Sequence, residues 1–283
     1  MKTKRKTNIK DRLSVWGLHL LAAAVMVPIL FPFYWLTVSA LQTPETIISI
    51  PPKIIPDQLS LHFIYEVFGN LGIGRFLYNS VYLSLLSTFL TVVLASLAAF
   101  SYTAYRFKGR VLYSKLVLFV YMFPQILVVI PLYMLLSRAG MINTHFGLVV
   151  TYIAFQLPVC IWVLQAYFST IPRDLMDAAT IDGLRKLSTL WYIFLPVALP
   201  GLAASAVMTF IGVWNNFLLA NTFLIDESLK TLPVIIVDYS SREGALRGPI
   251  LASSLIVCIP SFIFALFAQK YLVGGLTAGS TKG

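Results

Sequence analysis

Long uncharged apolar runs alternate along the chain with short polar segments. The runs cover approximately residues 13–41, 76–105, 116–137, 146–172, 187–225 and 248–269. Each meets or exceeds the roughly 20 residues that a membrane-spanning helix requires. The pattern predicts an all-α membrane protein with six transmembrane helices. It places a membrane domain at 13–272 between an N-terminal tail at 1–12 and a C-terminal tail at 273–283.

The fifth run is about twice as long as one span and contains no charged hairpin that divides it. Pro196 and Pro200 interrupt it instead. Because proline removes a backbone donor and bends or ends a helix, we predict a short helix at 187–195 on the membrane surface. A spanning helix at about 201–225 is expected to follow.

The distribution of basic residues predicts the orientation. Fifteen of the 21 Lys and Arg lie in segments 2–12, 106–115, 173–186 and 270–282, and six lie in the alternate loops. Cytoplasmic loops carry the excess of basic residues, so the N- and C-termini are both expected in the cytoplasm. The net charge of +10 is thus explained by topology rather than by nucleic-acid binding,.

Composition excludes several kinds of chemistry. The chain is 58% hydrophobic and 11% charged, and its mean hydropathy is +0.83. It has no phosphate-binding G-x-x-x-x-G-K-[ST] loop, and His19, His62 and His145 lie far from other metal-ligating residues,. The predicted spans contain no Asp, Glu, Lys or Arg to couple transport to an ion. We therefore expect neither an enzyme nor a metal site, and we expect energy for any pumping to come from a partner.

One polar island, DAATIDGLRKL at residues 177–187, lies between the fourth and fifth runs. Pro172 suits the first turn of a helix, Asp174 suits its positive end, and Gly183 suits a left-handed C-terminal cap. We predict a helix at 173–183 in a cytoplasmic loop, with Ala178 and Ala179 allowing close approach of another backbone. The simpler interpretation is an ordinary connecting loop.

The same stretch resembles the signature loop of ABC importer permeases, in which Glu-Ala-Ala is followed by Asp-Gly and by Leu-Pro. The matching residues are Asp177, Ala178, Ala179, Asp182, Gly183, Ile193, Leu195 and Pro196. Asp177 departs from the family by replacing Glu. WNNFLLA at 214–220 and TLPV at 231–234 resemble the carbohydrate branch, and the ending at 269–283 is similar to the tail of the smaller permease subunit of maltose importers.

The resemblance implies a type I importer permease fold and a subunit of an ATP-driven sugar importer in the cell membrane. It implies a second homologous permease, two ATPase subunits that bind ATP and Mg²⁺, and an extracytoplasmic solute-binding protein, with no cofactor on this chain. It assigns ATPase docking to Asp177, Ala178, Ala179, Asp182 and Gly183, and a tail contact with the ATPases to Gly275, Thr277 and Gly279.

Amides and aromatic residues inside the spans are candidates for the sugar pathway. These are Trp214, Asn215, Asn216 and Asn221, with Tyr152, Gln156 and Gln125. Amides hydrogen-bond hydroxyl groups, yet they also join neighbouring helices, because an unpaired amide is costly in lipid. Both interpretations stay open from the sequence. So do a permease for another solute class, a facilitator that works alone, and a membrane sensor or assembly protein.

Overall fold

Four long helices form the framework of the chain. The computed structural model describes the backbone at residues 9–241 and 247–278 and the side chains at 17–241, 247–267 and 269. The described part is helical with connecting loops and contains no strand. Its long helices are α1 (Ile9–Ala40), α3 (Ile73–Ala104), α6 (His145–Ser169) and α13 (Arg247–Ala278). Each is long and apolar enough to cross a membrane, which confirms four of the six predicted spans,.

The third apolar run is bent. It forms α4 (Arg110–Tyr121) and α5 (Gln125–Arg138), whose axes differ by 96°. The prediction of one continuous helix over 116–137 is therefore wrong. Pro124 precedes α5, and a proline pushes the residue before it out of helical geometry, which separates the two helices,.

The fifth run is broken twice. Helix α8 (Lys186–Thr189), a π-helical turn (Leu190–Phe194) and α9 (Leu195–Val197) precede α10 (Leu199–Trp214), at a bend of 83°. A short helical segment is present where one was predicted, but it runs through Pro196 to Val197; its position on the membrane surface stays a prediction.

The predicted uninterrupted span at 201–225 is wrong, because α10 ends at Trp214 and α11 (Phe217–Phe223) follows it. The Asn216 side chain accepts a hydrogen bond from the Leu219 amide, so it starts a new helix rather than continuing the old one,.

Shorter elements connect the long helices. These are α2 (His62–Gly69), α7 (Arg173–Ile181), a 3₁₀ turn (Glu227–Leu229) and α12 (Leu232–Ser240). Within the described residues, counting each bent pair as one span gives up to six candidate spans, and counting only the long helices gives four.

The described residues fall into two compact units, 9–71 with 247–256 and 72–241 with 257–278. In the first unit, two side chains at and just after the C-terminal end of α1 hold the loop that follows. The Tyr34 hydroxyl donates to the Ile54 carbonyl over 2.9 Å, and Gln42 Nε2 donates to the Lys53 carbonyl over 3.1 Å. A cavity of about 760 Å³ lies in this unit beside Trp35 and Arg247.

In the second unit, α3 packs along α6, and α10 packs against both. The buried face of α3 carries small side chains such as Ser84, Ser87, Thr91 and Ala95. Small residues let helix backbones approach closely in a membrane, where no hydrophobic force brings the helices together.

Two apolar cores fill this unit. One contains Leu83, Tyr152, Leu219 and Phe223, and it joins α3 and α6 to α5, α11 and α12. The other contains Phe100, Phe168 and Phe194, and it joins the C-terminal ends of α3 and α6 to the segment after α7. The Phe194 ring meets Phe100 at 5.0 Å and Phe168 at 5.4 Å, both edge to face,. This aromatic group anchors the segment that follows α7.

Candidate functional site

Helix α7 has a well-defined end. The Leu184 amide donates to the Ala179 carbonyl over 2.9 Å, and the Gly183 amide donates to the Thr180 carbonyl over 3.1 Å. Gly183 has φ of +76°, a conformation that favours glycine,. These two bonds form the Schellman motif, so the predicted helix and its glycine cap are confirmed. The helix spans Arg173–Ile181, two residues shorter than predicted.

The residues predicted to dock an ATPase do not all face outward. Asp177, Ala178, Asp182 and Gly183 are exposed, whereas Ala179 is only 2% exposed and packs against its own chain. Only Ala178 of the pair is therefore accessible at the surface. Ile181 is 86% exposed beside them, and the sequence analysis missed it. Residues three apart on a helix are neighbours on its surface, so the spacing of Ala178 and Ile181 could have indicated that they share a face.

Three of the candidate pathway residues come together where α5 and α11 begin. Asn216 Nδ2 lies 3.4 Å from Gln125 Oε1, and the Tyr152 hydroxyl lies 3.4 Å from the Asn216 carbonyl oxygen. Asn216 Oδ1 also accepts the Leu219 amide at 3.0 Å. Tyr152 is 2% exposed. This group joins helices to each other, and its contacts leave less free donor and acceptor capacity for a sugar.

The other candidates separate into buried and exposed residues. Trp214 is 2% exposed, stacks on Phe210 and donates from Nε1 to the Val257 carbonyl over 3.1 Å. Gln156 lies against Gly212, where a Cβ atom would collide with its amide. Asn215 and Asn221 are exposed, so they retain amides available to a ligand.

The predicted tail contact falls at the edge of the described chain. Gly275 and Thr277 lie in the last turns of α13, where the backbone is helical. Gly279 lies outside the described residues, as does the rest of the tail to Gly283.

A loop at 225–231 is fixed by polar residues that the sequence analysis did not single out. Asn143 Oδ1 accepts the amides of Ile225 and Asp226 at 3.0 and 2.8 Å, and His145 Nε2 lies 2.9 Å from the Leu229 carbonyl oxygen. Asn79 Nδ2 donates to the carbonyls of residues 228 and 230, each over 3.0 Å. Long-range bonds of this kind carry no local sequence signal.

In this loop, Asp226 is stabilised in its charged carboxylate form. Asp226 Oδ1 accepts the Ser228 amide at 2.8 Å and caps the 3₁₀ turn. This hydrogen bond lowers the pKa of the exposed Asp226 carboxyl below its ordinary value,. Among the described residues, no group of three or more His, Cys, Asp or Glu side chains is arranged to hold a metal.

Comparison with known proteins gives a family match over most of the chain. The model of the family described as "Binding-protein-dependent transport system inner membrane component" matches residues 71–273. The trehalose/maltose transport system permease protein MalG of Thermococcus litoralis is 37% identical over 269 residues, which cover 93% of this chain and 96% of that protein. The inner membrane ABC transporter permease protein YcjP of Escherichia coli is 32% identical over 276 residues, which cover 97% and 99%.

Solved structures share the fold. A bacterial ABC transporter involved in import of the acidic polysaccharide alginate contains a chain with a TM-score of 0.82 and 19% identity. The match covers 95% of this chain and 99% of that one. A second alginate transporter structure, in complex with an alginate pentasaccharide-bound periplasmic protein, matches with a TM-score of 0.65 and 18% identity over 92% of this chain and 94% of that one.

Proposed function

Because this chain belongs to the family of binding-protein-dependent transport system inner membrane components, we propose that it is the permease subunit of an ATP-driven carbohydrate importer. It is a multi-pass membrane protein of the ABC permease class. The observation that carries the sugar assignment is similarity over nearly the whole chain to a trehalose/maltose permease protein. The similarity of residues 214–220 and 231–234 to the carbohydrate branch supports it.

The proposed topology has six spans with both termini in the cytoplasm. It treats α4 with α5, and the α8–α10 segment, each as one bent span. The excess of Lys and Arg in alternate loops supports this orientation. The C-terminal ends of α3 and α6 then reach the cytoplasmic edge together, and α7 lies beside them.

Helix α7 is the proposed docking element for an ATPase subunit. Its exposed face offers Asp177, Ala178 and Ile181, and the Schellman motif fixes where the helix ends. This short helix packs through Met176 on the core that contains Phe100, Phe168 and Phe194, so it moves with α3 and α6 when a partner displaces it. Closure of two ATPase subunits on ATP would thereby alternate the spans between inward- and outward-facing states. The ATPases hold ATP and Mg²⁺, and this chain needs no cofactor.

A second, homologous permease completes the proposed pathway. Exposed amides at Asn215 and Asn221 are the candidates to line it from this chain, because they make no hydrogen bond from their side chains in the described structure. Trp214, Asn216, Gln156 and Tyr152 act in helix packing instead.

An extracytoplasmic solute-binding protein is the proposed source of sugar. The loop at 225–231 suits docking, because polar residues on α3 and at the start of α6 fix its backbone. A fixed loop loses little conformational freedom on binding.

Reconstitution of the complete transporter tests the function. The chain, its partner permease and the ATPase subunits are placed in liposomes with the solute-binding protein, and sugar uptake and ATP hydrolysis are measured across a panel of sugars. We expect ATP-dependent uptake of at least one carbohydrate and none from this chain alone. Uptake by the chain alone would contradict the proposal in favour of a facilitator. Hydrolysis stimulated by an amino acid or phosphate, with no response to any sugar, would reject the carbohydrate assignment while keeping the ABC class.

A further inference from the structure

A polar cavity lies between α7 and the C-terminal ends of α3 and α6. Its volume is about 400 Å³, and three arginines line it: Arg106 from the loop after α3, Arg110 from α4 and Arg173 from α7. Gln165 and Asp177 also line it. The cavity thus collects three positive charges from three separate segments and one negative charge.

Among the described side chains, the three arginines have no ionic partner. The ion pairs in this part of the chain join Lys53 to Asp57, His62 to Glu66 and Lys230 to Asp238. Asp177 shares the cavity without coming within salt-bridge distance of a guanidinium. One other contact is a weak bond of 3.3 Å from Arg110 to the Tyr105 carbonyl. Most of the donors of the three arginines are therefore available, and a planar guanidinium suits bidentate binding of a phosphate.

The placement of Arg110 is electrostatically unfavourable by itself. Arg110 and Arg173 are the first residues of α4 and α7; Asp174 lies in the first turn of α7, whereas α4 has no acidic residue in its first turn. A helix N-terminus carries a partial positive charge that favours anions and disfavours cations. An anion in the cavity would offset this unfavourable interaction, because it would interact favourably with both helix ends and with the guanidinium groups.

The position of the cavity identifies the kind of anion. Apolar side chains, Ile171, Met176 and Phe194, share the lining with the arginines. The cavity lies at the end of two apolar spans, at the edge that the basic residues assign to the cytoplasm. In the proposed topology, on which this inference rests, that edge faces the phosphates of the cytoplasmic leaflet. This leaflet is rich in anionic lipids, and basic pockets between membrane helices bind their headgroups.

We propose that this cavity binds the phosphate headgroup of an anionic phospholipid of the cytoplasmic leaflet. Arg106, Arg110 and Arg173 contact the phosphate, and the acyl chains extend along the apolar ends of the spans. An acidic segment of a partner protein would meet the same charges, but the apolar part of the lining and the depth favour a lipid. Because Arg173 lies on α7, Arg106 in the loop after α3 and Arg110 on α4, a bound phosphate links the docking helix to α4 and to the end of α3.

Lipid retention by the complete chain tests this site without any transport assay. The protein is purified from membranes, delipidated in detergent and titrated with phosphatidylglycerol or phosphatidylcholine. Bound lipid is counted by native mass spectrometry, and stability is followed by thermal unfolding. The test variant carries Arg106→Gln, Arg110→Gln and Arg173→Gln. The matched control carries Lys108→Gln, Lys115→Gln and Arg185→Gln, which remove equal charge from the same edge outside the cavity.

We expect wild type and control to retain phosphatidylglycerol in preference to phosphatidylcholine. The test variant should bind phosphatidylglycerol about 100-fold more weakly, since each basic residue near an anionic surface contributes about fivefold. If that variant does not purify as a monodisperse protein, Arg106→Gln and Arg110→Gln are tested singly, each with an expected loss of about fivefold.

Three results would overturn the proposal. Equal loss of lipid from the test and control variants would indicate diffuse attraction. Stabilisation by inorganic phosphate alone that matches the effect of phosphatidylglycerol would indicate a site for a free anion. Release of the lipid when the ATPase subunits bind would assign the cavity to that protein interface.

Discussion

The backbone amide of Leu184 donates a hydrogen bond of 2.9 Å to the carbonyl oxygen of Ala179, and this bond closes helix α7. It exists because Gly183, between the two residues, takes φ of +76°. On this helix Ala179 is buried, and Asp177 and Ala178 are exposed. A single left-handed residue thus fixes where the proposed docking helix ends.

Replacing Gly183 should weaken docking in a way that depends on backbone preference. Valine in the left-handed region costs about 1–2 kcal/mol, whereas asparagine tolerates that region. We expect Gly183→Val to reduce co-purification of the ATPase subunit and Gly183→Asn to keep most of it. Gly69→Ala is the control, because a Cβ there meets no atom within 4 Å. Full recovery of the ATPase subunit with Gly183→Val would refute the role of this cap.

Substitutions at Asp177 distinguish the contribution of its charge to the proposed docking from that of surface shape. An exposed ion pair contributes up to about 1 kcal/mol, or about fivefold in affinity, and salt screens it. We expect Asp177→Asn to weaken ATPase binding by up to about fivefold at low salt and less at high salt, and Asp177→Glu to keep it. Asp174→Asn on the same helix is the control. Binding is measured with the chain in nanodiscs. An unchanged affinity for Asp177→Asn would mean that docking depends on shape.

Gly201 allows α10 to pack closely on α6. A Cβ at this position would lie closer than 3.0 Å to three atoms of Tyr167. Extra atoms in a packed core cost about 1–3 kcal/mol. We therefore expect Gly201→Ala to lower the thermal unfolding temperature in detergent. Gly17→Ala on α1, where a Cβ meets nothing within 4 Å, should leave it unchanged. Equal unfolding temperatures for the two variants would show that α10 shifts freely.

Substitution of Asn216 should lower stability, whereas substitution of Asn221 should lower sugar uptake. Asn216 caps α11, so Asn216→Ala should cost about 1 kcal/mol of stability, and Asn216→Asp should keep the cap,. Asn221 is exposed, and Asn221→Ala should change stability by no more than about 0.5 kcal/mol while it lowers sugar uptake,. Thermal unfolding and uptake in liposomes are measured for each. Normal uptake by Asn221→Ala would remove that residue from the pathway.

The turn at residues 227–229 should loosen in acid. The hydrogen bond from Ser228 holds the pKa of Asp226 below its ordinary value, so the folded state favours the carboxylate. Its stabilisation is present above the ordinary pKa of aspartate and is lost as the pH falls through the lowered pKa. We expect hydrogen-exchange protection of Ser228 and Leu229 to fall in acid, and the change to be absent in Asp226→Ala. The same acid dependence in Asp226→Ala would assign the effect to another group.

The sequence by itself determined that the apolar runs are helical and that a short capped helix follows the fourth run. Apolar runs in a membrane must satisfy their backbone polar groups internally, which favours helix in all of them, and four runs form the long helices α1, α3, α6 and α13,. The helix at α7 was equally predictable, because Asp174 and Gly183 act through local backbone chemistry. The signature around Asp177 and Gly183 indicated the family that the match over 71–273 shows.

Only the tertiary structure decided where apolar runs break. Pro124 separates α4 from α5, yet other prolines lie inside helices that remain unbroken. These are Pro28, Pro32, Pro131, Pro158 and Pro260. Neighbouring helices can re-satisfy the groups that a proline frees, so the outcome depends on packing that no local pattern contains. The same reason applies to side chains whose burial or hydrogen-bond partners depend on distant parts of the chain. Ala179 is buried beside an exposed Ala178, and Asn216 pairs with Gln125, 91 residues away.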